Sequence, residues 1–402
     1  MDRITRINLT NVRTYTSASL DLTGVTVLIG DNGVGKSTII EVCEILRRMA
    51  STEFTGQFFG FHRAPQLIRA GATRMEIGVT VTSDVHGEFP VHYQATWESR
   101  GGVLAVVAEI IDYGPLPTDK DPTRILQRTE AGGWALEKGA QVPLRGPQLD
   151  PSRLNLAVAH LLSHPSVARL CSALEKIHVH LPLDLSPAWA ASAQQRPLGV
   201  RGASPLVPAD RVALGATNLA NVYQALKNDF GDDHWQATME VVRLGLGSNV
   251  ESVSVRPDAA SNVALWLKYR VPDMQVPAAG LSDGILAWLA FVALDRFPAP
   301  RSLLAIDEVD LHLHPYLLSR VLDLCAATSS RHPVLLTTHS DRLLDMLPAP
   351  SEQVVLAQSN ADGSTSLLRP DPTTLAAWLE RYSGYGRVRA EGYEYTMYPG
   401  KA

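Results

Sequence analysis

Val25-Thr26-Val27-Leu28-Ile29-Gly30-Asp31-Asn32-Gly33-Val34-Gly35-Lys36-Ser37-Thr38 is the stretch on which the fold turns. It begins as a short β-branched apolar run, the pattern of a buried strand. It continues as G-x-x-x-x-G-K-[ST], and from Lys36 to about Arg48 the apolar residues recur with a helical period. Strand, glycine loop and helix in that order give this spacing a chemical meaning. Glycines let the backbone curl until successive N–H groups face one anion. The helix N-terminus adds roughly half a positive charge. Lys36 is then placed to reach the β- and γ-phosphates of a nucleotide, Ser37 to ligate Mg²⁺, and Thr38 to contact the α-phosphate. Asn32, Gly33 and Gly35 complete the nucleotide-binding loop. A chance glycine-rich turn would lack the two flanks.

Two further strand ends carry chemistry that such a loop needs. Leu303-Leu304-Ala305-Ile306 is an apolar strand that runs into Asp307-Glu308. Adjacent strand residues point to opposite faces, so the two carboxylates can have separate tasks. Asp307 is expected to hold the Mg²⁺ shell, and Glu308 to orient or deprotonate the attacking water. Alone, the pair would read equally well as a solvated acidic turn. Val334-Leu335-Leu336-Thr337-Thr338 is a second buried strand, ending in His339, whose imidazole could hydrogen-bond the γ-phosphate or the attacking water. The pairs His312/His314 and His178/His180 have no cysteine or carboxylate set in zinc-ligand spacing, so a structural or loop role is expected for them.

The rest of the chain is placed around these anchors. Ile4 to Leu9, Met75 to Thr82 and Val91 to Trp97 alternate with period two, and Val103 to Ile111 is another strand candidate, so an antiparallel β region is expected. Residues 115–147 are rich in Pro, Gly and charge and read as loops. Leu154 to Leu174 reads as helical, interrupted by Pro165. Ile177 to Leu181 reads as a strand. The five prolines between Leu181 and Asp210 preclude a continuous helix and suggest a mobile or irregular surface segment. Helices are expected over Asn218–Phe230 and Trp235–Leu246, then a hairpin of Asn249–Arg256 with Val263–Val271. After that the pattern returns to α/β alternation: helices Asp283–Phe297, Pro315–Thr328 and Ser340–Met346 between strands Leu303–Ile306, Val334–Thr338 and Val354–Gln358. The expected division is 1–150 (phosphate loop and antiparallel region), 151–276 (an inserted helical and hairpin lobe) and 277–402, together one composite α/β unit.

Composition narrows the class. The chain has 402 residues, with 36 Lys+Arg against 41 Asp+Glu, a formal charge of −5. A surface that coats nucleic acid would be basic, which leaves room only for a local groove; Arg47, Arg48, Arg63, Arg69 and Arg74 could line one, although solvated faces are the plainer account. The three cysteines, Cys43, Cys171 and Cys325, are dispersed and form no C-x-x-C pair, as reduced thiols would in the cytoplasm. The opening residues show no secretory h-region. The longest apolar run, Ile285 to Leu294, falls well short of the roughly 20 residues a bilayer span needs. A cytoplasmic protein with no membrane attachment is expected.

In this order the pieces resemble the ABC-type ATPases, specifically the RecF/SMC/OLD-like branch often labelled AAA-type in bacterial genomes, and the likeness spans nearly the whole chain. Ile7-Asn8-Leu9-Thr10-Asn11-Val12-Arg13 is similar to that branch's N-terminal l-x-N-F-R strand, with Val12 in place of the aromatic. Leu281-Ser282-Asp283-Gly284 resembles the signature motif, Asp307-Glu308 the Walker B pair with its catalytic glutamate, Val309 to Pro315 the D-loop, and His339 the switch histidine. Gly215-Ala216-Thr217-Asn218-Leu219 resembles a G-x-N-L element, and Gly386 to Tyr393 a common ending of small OLD-like ATPases. The Q-loop glutamine has two candidates, Gln57 and Gln66. His314 stands where many transporter-type relatives carry the D-loop aspartate.

The resemblance implies an ABC-ATPase-type P-loop core with an antiparallel β region and an inserted helical lobe. It implies ATP and Mg²⁺ as cofactors. Lys36, Glu308 and His339 would be catalytic and Ser37 and Asp307 would hold the metal. Arg13, Asn32, Gly33, Gly35, Lys36, Ser37 and Thr38 would bind the nucleotide, with Ser282 and Gly284 capping that of the opposite subunit. It further implies a homodimer sandwiching two ATP molecules, or a higher oligomer. The function expected is an ATP-hydrolysing switch in DNA maintenance or anti-phage defence, acting through a separate effector such as a nuclease or toxin, with nucleic acid as a further candidate partner. The alternatives are a transporter's nucleotide-binding subunit, which the long span from Lys36 to Ser282 opposes, and an SMC/RecF-like DNA-repair ATPase, which the lack of coiled-coil heptads opposes.

Overall fold

The computed structural model describes the chain apart from residues 52, 53, 55–63, 86, 87, 116–121, 184, 186–198, 260 and 399–402. The chain opens with strands β1 (Asp2–Val12), β2 (Tyr15–Asp21) and β3 (Val25–Ile29) and helix α1 (Lys36–Arg48). Six strands follow: β4 (Arg74–Ser83), β5 (Val91–Arg100), β6 (Val103–Tyr113), β7 (Thr123–Thr129), β8 (Gly132–Glu137) and β9 (Ala140–Pro143). The middle holds α2 (Pro165–Glu175), β10 (Ile177–His180), β11 (Ser204–Pro205), α3 (Leu219–Asn228), α4 (Asp232–Leu246), β12 (Val250–Pro257), β13 (Asn262–Tyr269) and β14 (Met274–Pro277). The remainder is α5 (Asp283–Arg296), β15 (Leu303–Ile306), α6 (Pro315–Ser329), β16 (Val334–Thr337), α7 (Asp341–Asp345), β17 (Val354–Ser359), β18 (Thr365–Leu368), α8 (Pro372–Leu379) and α9 (Tyr385–Ala390).

These strands form three sheets. An eight-stranded antiparallel sheet runs β2-β1-β4-β5-β6-β7-β8-β9. A six-stranded sheet runs β10-β15-β16-β3-β17-β18, parallel but for its last strand. A small sheet runs β11-β13-β12, with β14 on β13.

The six-stranded sheet separates two hydrophobic cores, and the two-residue strand period decides which side chain enters which. Val25, Val27, Ile29, Leu304, Ile306, Val334 and Leu336 face the core that also holds Leu286, Trp288 and Leu289 of α5. Leu28, Leu303, Ala305, Leu335 and Val355 face the core shared with Ile39, Ile40, Val42, Ile45 and Leu46 of α1 and with the antiparallel sheet. Burial on both faces accounts for the unbroken apolar runs of these strands. Each fully buried Val, Leu or Ile contributes roughly 1.5–3 kcal/mol.

The structure corrects several expectations. The described residues of 115–147 are mostly strand, not loop: β7, β8 and β9 lie there, joined by tight turns such as Lys138-Gly139, both with positive φ. The turn residues dominate the composition, and β9 is exposed at all four positions, so no apolar alternation marks it. The strand β2 is likewise mostly exposed, with only Tyr15 and Leu20 buried. Leu154 to Leu174 is not an interrupted helix. A 3₁₀ segment covers Asn155–Leu161, and α2 begins at Pro165, the proline occupying a first-turn position where it costs no hydrogen bond. Finally, β10 lies inside the segment 151–276 yet pairs in parallel with β15, a long-range partnership no local pattern reveals. In the proline-rich stretch from Leu181 to Asp210, residues 184 and 186–198 lie outside the described residues, and the remainder holds the short strand β11.

Candidate active site

β15, β16 and β3 are adjacent and parallel, so their carboxyl ends open along one edge, where ligands bind in sheets of this kind. From β3 the chain enters the glycine loop, from β15 it reaches Asp307 and Glu308, and from β16 it reaches Thr338 and His339. The edge is knit together by the Thr338 N–H donating to Leu28 O at 3.3 Å and the Val309 N–H donating to Thr337 O at 3.1 Å.

The loop has the shape its glycines dictate. Gly35 has φ +99°, and a Cβ there would lie 2.7 Å from Thr14 Oγ1 and 2.9 Å from the Tyr15 ring. Gly30 has φ +142°, and a Cβ would lie 2.2 Å from Ala357 O. Two hydroxyls from neighbouring strands hold the loop carbonyls: Tyr15 Oη donates to Gly35 O at 3.0 Å and Thr365 Oγ1 to Val34 O at 2.8 Å. Asn32 and Ser37 are exposed, and Thr38 is buried. Around Gly33, φ +81°, the space is open.

Lys36 is buried beneath this loop. Its ammonium donates to Gly30 O at 2.8 Å and Asp31 O at 2.9 Å. Burial lowers its pKa first and the Arg389 guanidinium second, while Asp307, Asp31 and Glu308 oppose the shift. The residues fit a nucleoside triphosphate: a curled loop, a helix N-terminus and a buried cation that, among the described residues, is hydrogen-bonded to the carbonyls of that loop. ATP held here would bring transferable phosphate, and Mg²⁺ would be held by Ser37 and Asp307.

Asp307 is buried, and its Oδ1 accepts from Thr337 Oγ1 at 2.5 Å. The same Thr337 oxygen accepts from the Glu308 N–H at 2.8 Å. Glu308 is half-buried, with φ +48°, a conformation uncommon for a residue with a side chain. Thr337 thus fixes the turn that sends one carboxylate inward and leaves the other partly open. The next threonine, Thr338, donates to Asp310 and accepts from the Ser340 N–H at 2.9 Å. His339 between them is exposed, and no hydrogen bond holds its ring among the described residues.

Other candidates lie elsewhere. Arg13 sits at the β1–β2 turn with φ +48°, and its guanidinium pairs with Glu41 on α1 at 2.6 Å rather than with the loop. Ser282 opens α5 and is exposed; its hydroxyl makes no capping bond, so ordinary helix capping does not account for it. A Cβ at Gly284 would lie 3.2 Å from His312 O, which puts the 309–315 turn against the start of α5. No hydrogen bond or ion pair among the described residues joins Leu281–Gly284 to the phosphate loop of the same chain.

Gln66 is exposed, while Gln57 and Arg63 lie outside the described residues. Arg47 and Arg48 pair with Glu44, Arg74 pairs with Glu98, and Arg69 donates to Thr14 O. His314 caps α6 by accepting from the Tyr316 N–H at 3.4 Å, and His178 and His180 are buried on β10.

Three residues near these positions were not legible in the sequence. Thr337 was seen only as part of a strand. Arg201 is almost fully buried and donates to the carbonyls of Ala278, Ala279 and Leu281 and to the Asp283 carboxylate, which shapes the turn carrying Ser282. Arg389 lies in a segment marked only by its overall pattern.

The family model described as "AAA ATPase domain" matches residues 3–80, and that described as "AAA domain, putative AbiEii toxin, Type IV TA system" matches residues 267–345. The two matches contain the phosphate loop and the Asp307–His339 region respectively. No curated protein matches the chain. Among solved structures, the crystal structure of an SMC head bound to the C-winged helix domain of ScpA superposes with a TM-score of 0.52 and 14% identity, covering 91% of this chain and 96% of that one. An SMC head with an extended coiled coil, bound to the C-terminal domain of ScpA derived from Pyrococcus furiosus, gives 0.50 and 15% over 95% and 99%. The chain thus resembles AAA ATPase domains at its two ends and shares the fold of SMC heads over its length.

Proposed function

We propose that the chain binds ATP with Mg²⁺ in the loop Gly30–Thr38, hydrolyses it with Glu308 as the water-orienting base and His339 as a γ-phosphate or water contact, and pairs head to tail with a second copy whose Ser282 and Gly284 complete each site. One observation carries this: Lys36, Asp307, Glu308 and His339 converge at the carboxyl ends of three adjacent parallel strands. Asp307 and Ser37 would hold the metal. In this reading 1–150 and 277–402 form one composite ATPase and 151–276, apart from β10, the lobe that carries its specificity.

The biological role proposed is a cytoplasmic switch in DNA maintenance or anti-phage defence that controls a separate effector. The family description naming a putative AbiEii toxin supports the defence branch. SMC heads bound to ScpA winged-helix and C-terminal domains favour a second reading in which the partner is a protein docked on the head. Among the described residues no helix is long and apolar enough to cross a membrane.

The decisive experiment is nucleotide binding by the wild type and by Lys36→Ala. Loss of the ammonium removes the phosphate partner and charge complement, so binding measured by isothermal titration should fall below detection in the variant. Equal affinity in the two proteins would overturn the assignment.

A further inference from the structure

Arg389 comes from α9, far in sequence from the phosphate loop, yet after burial its guanidinium is the next cause that lowers the Lys36 pKa. Its position is built, not incidental. α9 lies directly on α7, the short helix that follows His339. A Cβ at Gly386 would lie 1.8 Å from Asp341 O, and one at Gly384 would lie 2.2 Å from Asp345 Oδ1. Only glycines permit this approach. The Arg387 N–H donates to Asp345 Oδ1 at 3.1 Å, which fixes the register of the two helices.

Within that packing the guanidinium bridges two carboxylates of different character. Nη1 donates to Asp341 Oδ1 at 3.1 Å, and the Asp341 side chain is 43% exposed. Nε lies 3.2 Å from Glu394 Oε1, whose side chain is only 9% exposed. The angle of that contact makes no hydrogen bond, and Glu394 Oε1 is left buried without one. Burial raises the Glu394 pKa, Arg389 lowers it, and Asp31 and Asp341 raise it further. Tyr395 is also raised, by burial first and the Asp31 carboxylate second. Loop residue Asp31, switch-segment residue Asp341 and tail residues Arg389, Glu394 and Tyr395 therefore share one electrostatic neighbourhood with Lys36. The other Nη of Arg389 has no hydrogen bond among the described residues.

We propose that Arg389 is a nucleotide-contacting residue that recognises the γ-phosphate of ATP held by the loop Gly30–Thr38, giving up the Asp341 carboxylate for phosphate oxygens while Glu394 keeps the guanidinium aimed. The proposal rests on the nucleotide reading above and adds to it a source of ATP-over-ADP discrimination. The planar fork of an arginine matches phosphate bidentately, which a lysine cannot do. Asp341 is two residues past His339, so its release ties the presence of the third phosphate to the switch segment. The exposed, singly bonded Asp341 is the partner that can be surrendered; the buried Glu394 is not.

The test is equilibrium binding of ADP and of the β,γ-imido analogue of ATP, both with Mg²⁺, to the full chain and to Arg389→Ala, Arg389→Lys and Asp341→Asn. Both arginine variants should lose affinity for the analogue by about 10- to 100-fold, the worth of a charge-assisted phosphate contact, with ADP affinity unchanged. Asp341→Asn removes the competitor and should tighten the analogue several-fold, again without effect on ADP. If Arg389→Ala does not fold, Arg389→Lys, which keeps the charge against Glu394, carries the comparison. Equal losses for ADP and analogue would reduce Arg389 to a structural ion pair, and unchanged affinity for both would remove it from the site; either result overturns the proposal while leaving the ATPase reading intact. A wild type that binds neither nucleotide overturns both.

Discussion

Thr337 shows how one hydroxyl can set the roles of two carboxylates. It donates to Asp307 and accepts from the Glu308 backbone, so the chain must turn immediately after β15. The left-handed backbone of Glu308 is the cost of that turn, of the order of 1 kcal/mol or more for a residue with a Cβ. The carboxylate is thereby left half-exposed at the strand edge, where a water can reach it. Glu308→Gln keeps the shape and removes the proposed base. It should bind ATP like the wild type, hydrolyse it about 10²–10⁴-fold more slowly, and trap the ATP-bound pair; phosphate release under single-turnover conditions measures the first effect. Unchanged hydrolysis would identify another base.

At the scale of elements, α4 and α5 illustrate a place where local propensity and packing oppose each other. Gly245 lies near the end of α4 directly over the buried Trp288 of α5, whose indole N–H donates to Val242 O at 3.0 Å. A Cβ on Gly245 would lie 2.3 Å from the indole ring. Helix propensity alone favours Gly→Ala by about 1 kcal/mol. The clash falls on a side chain with no room to withdraw, and overpacking of this kind costs typically 1–3 kcal/mol. Gly245→Ala should therefore destabilise, lowering the urea midpoint with little change in slope. A raised midpoint would mean that the two helices are free to separate.

The same contrast explains which elements were readable. The strand–loop–helix unit around Lys36 and the Asp307-Glu308 strand end are encoded within a few neighbouring residues, so pattern and chemistry coincide. The helices α3, α4, α5 and α6 were placed to within a few residues by their apolar spacing. β9 has no buried side chain, and β2 has few, so their pairing is set by the backbones of their neighbours. Thr337, Arg201 and Arg389 act through partners 30, about 80 and about 50 positions away, and nothing in their local sequence announces it.

For the whole molecule, two expectations follow. The exposed Ser282 is the residue that must meet a second copy if pairing depends on nucleotide. Ser282→Arg places a bulky side chain at that contact without touching either core. It should leave the melting temperature of the free chain unchanged and abolish ATP-dependent dimerisation; light scattering with and without ATP distinguishes this from a monomeric mechanism.

The second concerns acid. Burial, reinforced by Arg301, holds His178 down at about 2 and His180 at about 3, and burial holds His332 at about 4. Unfolded, each would titrate near 6.5. The unfolded chain therefore binds more protons, and stability falls as pH drops below about 6.5, by up to roughly 1.4 kcal/mol per histidine per pH unit. Denaturant unfolding at pH 7 and pH 5 should show this loss, and His180→Asn should shrink it. A pH-independent midpoint would mean that these side chains are hydrated.

The cluster of backbone bonds made by Arg201 has a consequence for how the molecule assembles. The 278–283 turn has one 3₁₀ bond of its own, the Leu281 N–H to Ala278 O at 3.2 Å, and is otherwise held by a guanidinium delivered across a long chain separation. An excised peptide spanning that turn would keep only that single local bond and lose the contacts that Arg201 makes. If a second copy is met through Ser282, as proposed, that surface takes its shape only once the segment around residue 201 has docked against it.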